Sequence, residues 1–307
     1  MGFPGEGPVR LIGLNIDGLN EAQDRNRLLS QAISAKADAL FIQEHHLQPS
    51  GVRALEGILT RKGWSAIVSC PPSGKGGTAV LLNDSIPIVK VVVDRHTGNS
   101  LNGRVCAVDV TLGGKVTRLI LLYIPAQSAD RGSFLSELIK LNIFNTNTIC
   151  QADWNYVADI NSDMMHVDNS AIPTPYSHAR SFESFLKSAG MEDPFRLVHG
   201  PNHRDFTRRG NTVWTRLDRF YAPSHNSHFR WLEVEAHPTF YRGHDNASDH
   251  LAVTAQIEWA TDRKPTKADR RIDPRIFRDE RVRNTVSMLW KGVHSRFPTM
   301  SYGAAVP

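Results

Sequence analysis

Leu11-Ile12-Gly13-Leu14-Asn15 and Leu40-Phe41-Ile42-Gln43-Glu44 decide how this chain reads. Each is a strand-sized apolar run that ends on a polar residue. The stretch between them, Ala22–Ala35, carries Leu28, Leu29, Ala32 and Ile33 at helical spacing. The strand pattern returns along the chain. Tyr123 follows Leu119-Ile120-Leu121-Leu122, Asp153 and Asn155 follow Ile149-Cys150, and Asp249 and His250 precede Leu251-Ala252-Val253. Strands are rigid, and in layered α/β proteins their ends aim such residues into a shared crevice. At any single position turn chemistry explains an Asp or Asn better. The repetition at strand after strand is what points to a site.

Working outward, further strand-sized runs are Val9–Leu14, Ala39–Ile42, Thr78–Leu82, Ile88–Val93, Val105–Val110, Arg118–Ile124, Asn147–Cys150, Thr215–Tyr221 and Leu251–Trp259. Gly51–Lys62, Ser133–Leu141 and Ser181–Ser188 have helical spacing. Many strands with a few helices between them predict an α/β protein with sheet-rich layers, not a doubly wound sheet alone. After Trp259 the chain becomes dense in charge of both signs. This predicts a compact domain over 1–260, then a charged linker and one amphipathic helix, Asp279–Val293, within 261–307.

The formal charge of +5 and pI near 9.2 favour an anionic partner such as nucleic acid, a preference many other enzymes share. Cys70, Cys106 and Cys150 are scattered, which argues against a disulfide framework or zinc site and predicts buried thiols in strands. No apolar run reaches membrane-spanning length, and the first residues lack a secretory core and a myristoylation signal. An intracellular protein without a membrane partner is expected.

Read in order, Gly13-Leu14-Asn15-Ile16-Asp17-Gly18-Leu19, Phe41-Ile42-Gln43-Glu44, Gly76-Gly77-Thr78-Ala79-Val80 and Tyr123-Ile124-Pro125-Ala126 are followed by Ala152-Asp153-Trp154-Asn155, Arg216-Leu217-Asp218-Arg219 and Ser248-Asp249-His250. This ordered set resembles the endonuclease/exonuclease/phosphatase superfamily, and within it the apurinic-type endonuclease domains of LINE-type (non-LTR) retrotransposons. The resemblance implies a four-layer α/β/β/α sandwich of two mixed β-sheets flanked by helices. It also implies hydrolysis of a phosphodiester in double-stranded DNA with Mg2+, or Mn2+ in its place. Nuclear residence would follow from a eukaryotic retroelement. Arg271-Ile272-Asp273-Pro274-Arg275-Ile276-Phe277 is similar to the segment that joins such an endonuclease to a reverse transcriptase.

The resemblance also implies roles. Glu44 is the metal carboxylate, with Asp17 and Asp249 as further contributors. Asp153 orients or deprotonates the attacking water and Asn155 holds it. Asn15 and Tyr123 hydrogen-bond the phosphate, and His250 meets its non-bridging oxygen while Asp218 accepts the other ring N–H. Such chemistry needs an activated water, charge neutralisation and a stabilised leaving oxygen, and a hard cation held by one or two carboxylates supplies much of this. The family usually has Gly where Ala152 stands, and Trp154 also departs from its pattern.

His203–Trp214 mixes cations with aromatics, so Thr207, Arg208, Arg209 and Trp214 are candidate DNA contacts; a charged hairpin at the sandwich edge explains any one Arg equally well. Ser73-Gly74-Lys75-Gly76-Gly77-Thr78 fails the phosphate-loop pattern and reads as a glycine-rich turn. The His45-His46 pair has no further ligand at metal spacing and is expected to be exposed beside the cleft. Two other functions compete: a phosphatase of the same superfamily acting on a lipid or inositol phosphate, and a non-catalytic DNA-binding remnant of a mobile element.

Overall fold

In the computed structural model the described residues are 7–71, 74–93, 101–167, 179–223, 229–243 and 248–259, with Glu280, Val282, Asn284 and Ser287. The compact unit Met1–Ala260 runs β1 (Val9–Asn15), α1 (Ala22–Ser34), β2 (Ala39–Gln43), α2 (Pro49–Arg61), β3 (Trp64–Ser69), β4 (Thr78–Asn83), β5 (Ile88–Val93), β6 (Val105–Leu112), β7 (Lys115–Tyr123), α3 (Ser128–Leu141) and β8 (Thr148–Asp153). It continues through α4 (Ile160–Asp163), β9 (Met164–His166), α5 (Ala179–Ser188), β10 (Met191–Glu192), α6 (Pro194–His199), β11 (Arg208–Arg209), β12 (Val213–Thr215), β13 (Asp218–Pro223), β14 (Phe229–His237) and β15 (Ala252–Trp259). A second unit is Thr261–Pro307; most of the expected helix Asp279–Val293 lies outside the described residues, and the four described positions there are helical.

Two six-stranded sheets form, in the orders β14-β15-β1-β2-β4-β3 and β10-β13-β8-β7-β6-β5. Each has one parallel pair, β1 with β2 and β7 with β8, at its centre; the other pairings are antiparallel. A parallel pair needs a crossover, and α1 and α3 supply the two. The helices cover the outer faces, giving the four-layer α/β sandwich. Ligands gather at the carboxyl ends of parallel strands, and here Asn15, Gln43, Tyr123 and Asp153 occupy those ends.

The alternation of side chains along each strand sorts the core into three layers. Leu11, Phe41, Leu121, Ile149 and Phe220 fill the space between the sheets. Ile12, Leu14, Leu40 and Ile42 face α1 and α2, whereas Ile120, Leu122, Cys150 and Tyr221 face α3 and α5. Phe41 meets Phe220 edge-on, with ring centroids 5.8 Å apart. Continuing the inner-face parity to the strand ends puts Asn15, Gln43, Tyr123, Gln151, Asp153 and Asp218 into the inter-sheet space. The apolar filling thus gives way to polar residues within the last two rungs. Gln43 Nε2 donates to Gln151 Oε1 across the sheets, both side chains being fully buried. Gly13 makes room for this contact, since a Cβ there would lie 2.3 Å from Gln151 Nε2.

Several sequence expectations shift. β3 and β14 were not expected, because charged or polar residues interrupt their apolar runs. Thr215–Tyr221 is not one strand; β12 ends at Thr215 and β13 begins at Asp218. α2 starts at Pro49, where a missing N–H costs nothing at a helix N-terminus, and α3 starts at Ser128. Cys106 and Cys150 are buried in strands, but Cys70 is partly exposed, just past β3. No helix among the described residues is long and apolar enough to cross a membrane.

Gly13→Ala is expected to destabilise the sandwich by about 1–3 kcal/mol through overpacking against Gln151. Urea unfolding measures this, and an unchanged midpoint would contradict the close approach of the sheets at this rung.

Candidate active site

Asn15 joins the two sheets. Its Nδ2 donates to Glu44 Oε1 at 2.8 Å and to Asp153 Oδ2 at 3.0 Å, so the two hydrogens of one amide serve carboxylates from different sheets. Ser248 Oγ donates to the Asn15 carbonyl at 2.6 Å and accepts from the His250 N–H at 3.2 Å, which ties the segment before β15 to the same point.

On one side lie Glu44, Asp17 and His46, whose ligand atoms are within 4.8 Å of one another. The three residues are the ends of loops stitched together by backbone bonds, Gly18 N to Glu44 O at 2.8 Å and Leu19 N to His45 O at 2.9 Å. All three have positive φ, near 51–54°, in the left-handed region uncommon for residues with a side chain. His46 Nε2 lies 3.4 Å from Glu44 Oε2 and its Nδ1 lies 4.0 Å from Asp17 Oδ1. Burial alone would raise the Glu44 carboxyl, but hydrogen bonds from His46, Tyr123 and Asn15 outweigh it and hold it down at about 2. His46 is raised in turn, chiefly by its hydrogen bond to Glu44. The Tyr123 hydroxyl is pushed above its ordinary value by burial and by Glu44, so it stays a neutral donor to that carboxylate. The Arg104 guanidinium covers the Tyr123 ring, 4.7 Å from its centroid.

This group fits a hard divalent cation. Glu44 is a firmly ionised carboxylate, Asp17 offers further and more exposed oxygens, and the Asp17 side is open to water, which such an ion retains in its shell. His46 places a ring nitrogen within reach of the same group.

On the other side lie Asp153, Asp218 and His250, all buried, with ligand atoms again within 4.8 Å. Asp218 and Asp153 are direct partners across β13 and β8, and Tyr123 is the partner of Asp153 on β7. His250 Nδ1 is 2.8 Å from Asp218 Oδ2. Burial works against the imidazolium, yet the charges of Asp218 and Asp153 prevail and push His250 up to about 10. Asp153 is raised as well: burial, reinforced by Asp218, lifts its carboxyl to about 6 against the pull of His250. It also accepts from the Asn155 N–H at 3.0 Å and from Asn155 Nδ2 at 3.2 Å. Asn155 is itself held left-handed, at φ 50°, by Nδ2 donating to the Ile124 carbonyl at 2.8 Å. A deprotonating carboxylate near neutrality beside a fixed imidazolium is an arrangement suited to proton transfer and anion stabilisation.

Asp218 does not take part in a surface ion pair with its neighbours Arg216 and Arg219. All three are buried. Arg216 pairs with Asp163 at 2.6 Å and Asp193 at 2.5 Å, and Arg219 lies among Trp154, Tyr156 and Tyr221 on the face away from the site.

The remaining expected residues are placed differently. Asp249 is grouped with Arg208, at 2.7 Å, and His250, not with Glu44 and Asp17. Thr207 is buried, and its Oγ1 accepts from the N–H groups of Leu217 and Asp218, each at 3.0 Å. It therefore holds the start of β13 instead of facing a ligand. Arg209 is exposed and Arg208 and Trp214 are half-buried, with Arg209 over the Trp214 ring at 4.9 Å. His45 is not exposed as expected: it is buried, Nδ1 accepts from Leu47 N at 2.9 Å and Nε2 meets Ser69 O at 3.2 Å, and burial depresses it to about 4. A Cβ at Gly77 would lie 2.4 Å from this ring, which explains that glycine of the turn.

Sequence reasoning missed His46 and Arg131. His46 stands two residues from Glu44, a spacing that helical ligand rules pass over. Arg131 is buried and clamps three carbonyls, those of Pro125, Ala126 and Asn155, at 2.9, 2.8 and 2.7 Å. Only its position eight residues after Tyr123, within α3, offered a signal.

The sequence profile of the Endonuclease/Exonuclease/phosphatase family matches residues 12–250. Solved structures with this fold include a 3′ phosphatase, NExo, from Neisseria bound to product DNA hairpin, at 19% identity and TM-score 0.61 over 82% of this chain and 100% of that one. An AP endonuclease from Archaeoglobus fulgidus is 16% identical with TM-score 0.63 over 80% and 98% of the two chains. The endonuclease domain of TRAS1, a telomere-specific non-LTR retrotransposon, is 12% identical with TM-score 0.55 over 82% and 99%. At these identities the likeness concerns the fold.

Because His250 lies above its ordinary 6.5, the stability it contributes is complete below about 6.5 and fades as pH rises through about 10. Asp218→Asn removes the largest stabilising charge, so the imidazole should lose its proton at lower pH than in the wild type. NMR of the histidine rings reads this directly. An unshifted titration would contradict the pairing.

Proposed function

The chain belongs to the endonuclease/exonuclease/phosphatase family, and on that footing we propose that it is a metal-dependent phosphodiesterase that nicks double-stranded DNA. One observation carries the reading: Asn15 draws an ionised carboxylate, Glu44, and a carboxylate near neutrality, Asp153, to one point beside the imidazolium of His250. The same functional group, a carboxyl, is driven in opposite directions by its surroundings, which separates a charge-holding role from a proton-accepting one.

In this reading Glu44, with Asp17, would hold Mg2+, or Mn2+ in its place. When bound, the cation neutralises charge on the phosphate. The protein's own groups do the rest. Asp153 accepts the proton of the attacking water as the water oxygen bonds to phosphorus. The opposite P–O bond breaks, its electron pair going to the leaving oxygen, which takes a proton from solvent. Asn155 fixes the orientation of the Asp153 carboxylate. His250 donates to a non-bridging oxygen through Nε2, since Asp218 occupies Nδ1. Tyr123 keeps Glu44 in place from the side. Burial of Asp153 and His250 strengthens these interactions relative to water.

DNA as the substrate is supported by the rim of Arg208, Arg209 and Trp214, where cations can follow a phosphate backbone and the indole can lie against a groove. A retrotransposon endonuclease shares the fold, and target nicking for such an element fits a rim of this kind.

Nicking of supercoiled plasmid with Mg2+ tests the reading, with an inositol phosphate assayed in parallel for the phosphatase alternative. Open circles are expected with metal and not with EDTA, and Asp153→Ala and His250→Ala should each lower the rate by about a hundredfold or more. An undiminished rate in EDTA or in either variant would refute it.

A further inference from the structure

Asp249 lies between two cations. Its Oδ2 is 2.7 Å from Arg208 Nε, and its Oδ1 is 3.7 Å from His250 Nε2. Arg208 and His250 are direct partners in an antiparallel bridge. The flanking bonds, Arg209 N to Asp249 O at 3.2 Å and Leu251 N to Thr207 O at 2.6 Å, make this a non-hydrogen-bonded pair. Side chains of such a pair share a face and approach most closely. Asp218 already engages Nδ1, so Nε2 is the nitrogen turned to the site. Among the described residues Arg208 has no other ionic partner. The two carboxylates that face the ring nitrogens of His250 in ion pairs differ sharply, Asp218 being fully buried and Asp249 46% exposed. Asp218 is held in the interior, whereas Asp249 stands at the solvent edge.

We propose that Arg208 and His250 form a two-cation clamp for a phosphate group, and that Asp249 is its internal placeholder, displaced when phosphate enters. A phosphate offers two oxygens where Asp249 now offers its own two, and a guanidinium fork suits such an oxygen pair. A tethered carboxylate competes at high effective concentration. Small monoanionic carboxylates would therefore be turned away, while a phosphate with more charge and more acceptors would displace it. Asp249 then acts on the affinity for the phosphate group. This deepens the proposed function and takes its phosphate-bearing substrate from that reading, but hydrolysis is not needed to test it.

Binding of inorganic phosphate and of a short fluorescein-labelled DNA duplex is measured in EDTA. Asp249→Asn should bind both about tenfold tighter than the wild type, and Arg208→Ala more weakly. The gain from Asp249→Asn should vanish in the Arg208→Ala background. An unchanged or weaker affinity in Asp249→Asn overturns the proposal. So does a gain that persists without Arg208, which would be a general charge effect. If plasmid nicking fails while this cycle holds, the clamp stands and the nuclease reading falls.

Discussion

The amide of Asn15 is the contact on which the rest of the site depends. Two carboxylates from different sheets cannot be brought together in a buried space without a donor between them, because their mutual repulsion and lost hydration both oppose it. Asn15 supplies one N–H to each and adds no charge. It can do so only because β1 lies beside β2 in one sheet, because β8 carries Asp153 to the same depth in the other, and because Gly13 and the Gln43–Gln151 contact let the sheets close beneath. The apolar core sets the distance between the sheets, and the polar rungs use it.

The two halves of the site differ in how they are built. Asp153 and Asp218 end or begin strands and inherit their direction from the sheet, with Thr207 and Arg131 bracing the adjoining turns. Asp17, Glu44 and His46 stand on loop residues in the left-handed region, where backbone strain is accepted because surrounding hydrogen bonds fix the conformation. A rigid, dry half would manage protons and a more open half would hold a cation. The Asp163–Arg216–Asp193 network secures the entry to β13 from behind and engages Arg216, while Asp218 pairs with His250.

Much of this was legible in the residues. Alternation along strands is a local property, so Leu11 to Asn15 and Leu119 to Tyr123 announced both the sheets and the polar residues at their ends. What stayed hidden depended on geometry that spacing does not encode. The meeting of His46 with Glu44 requires positive φ at both positions. The inward turn of Thr207 and the attachment of Asp249 to Arg208 follow from the pairing of β11 with the segment before β15, a contact of long sequence separation. The strand β14 was missed because it alternates charged residues with apolar ones at a sheet edge, as Arg230, Glu233 and Glu235 show.

Anomalous diffraction from a crystal soaked in Mn2+ tests the division of labour between the two groups most directly. The expected result is a peak beside the Glu44 carboxylate on the Asp17 side, with Asp218 still on His250 Nδ1. A peak seated among Asp153, Asp218 and His250, with Glu44 unoccupied, would contradict it.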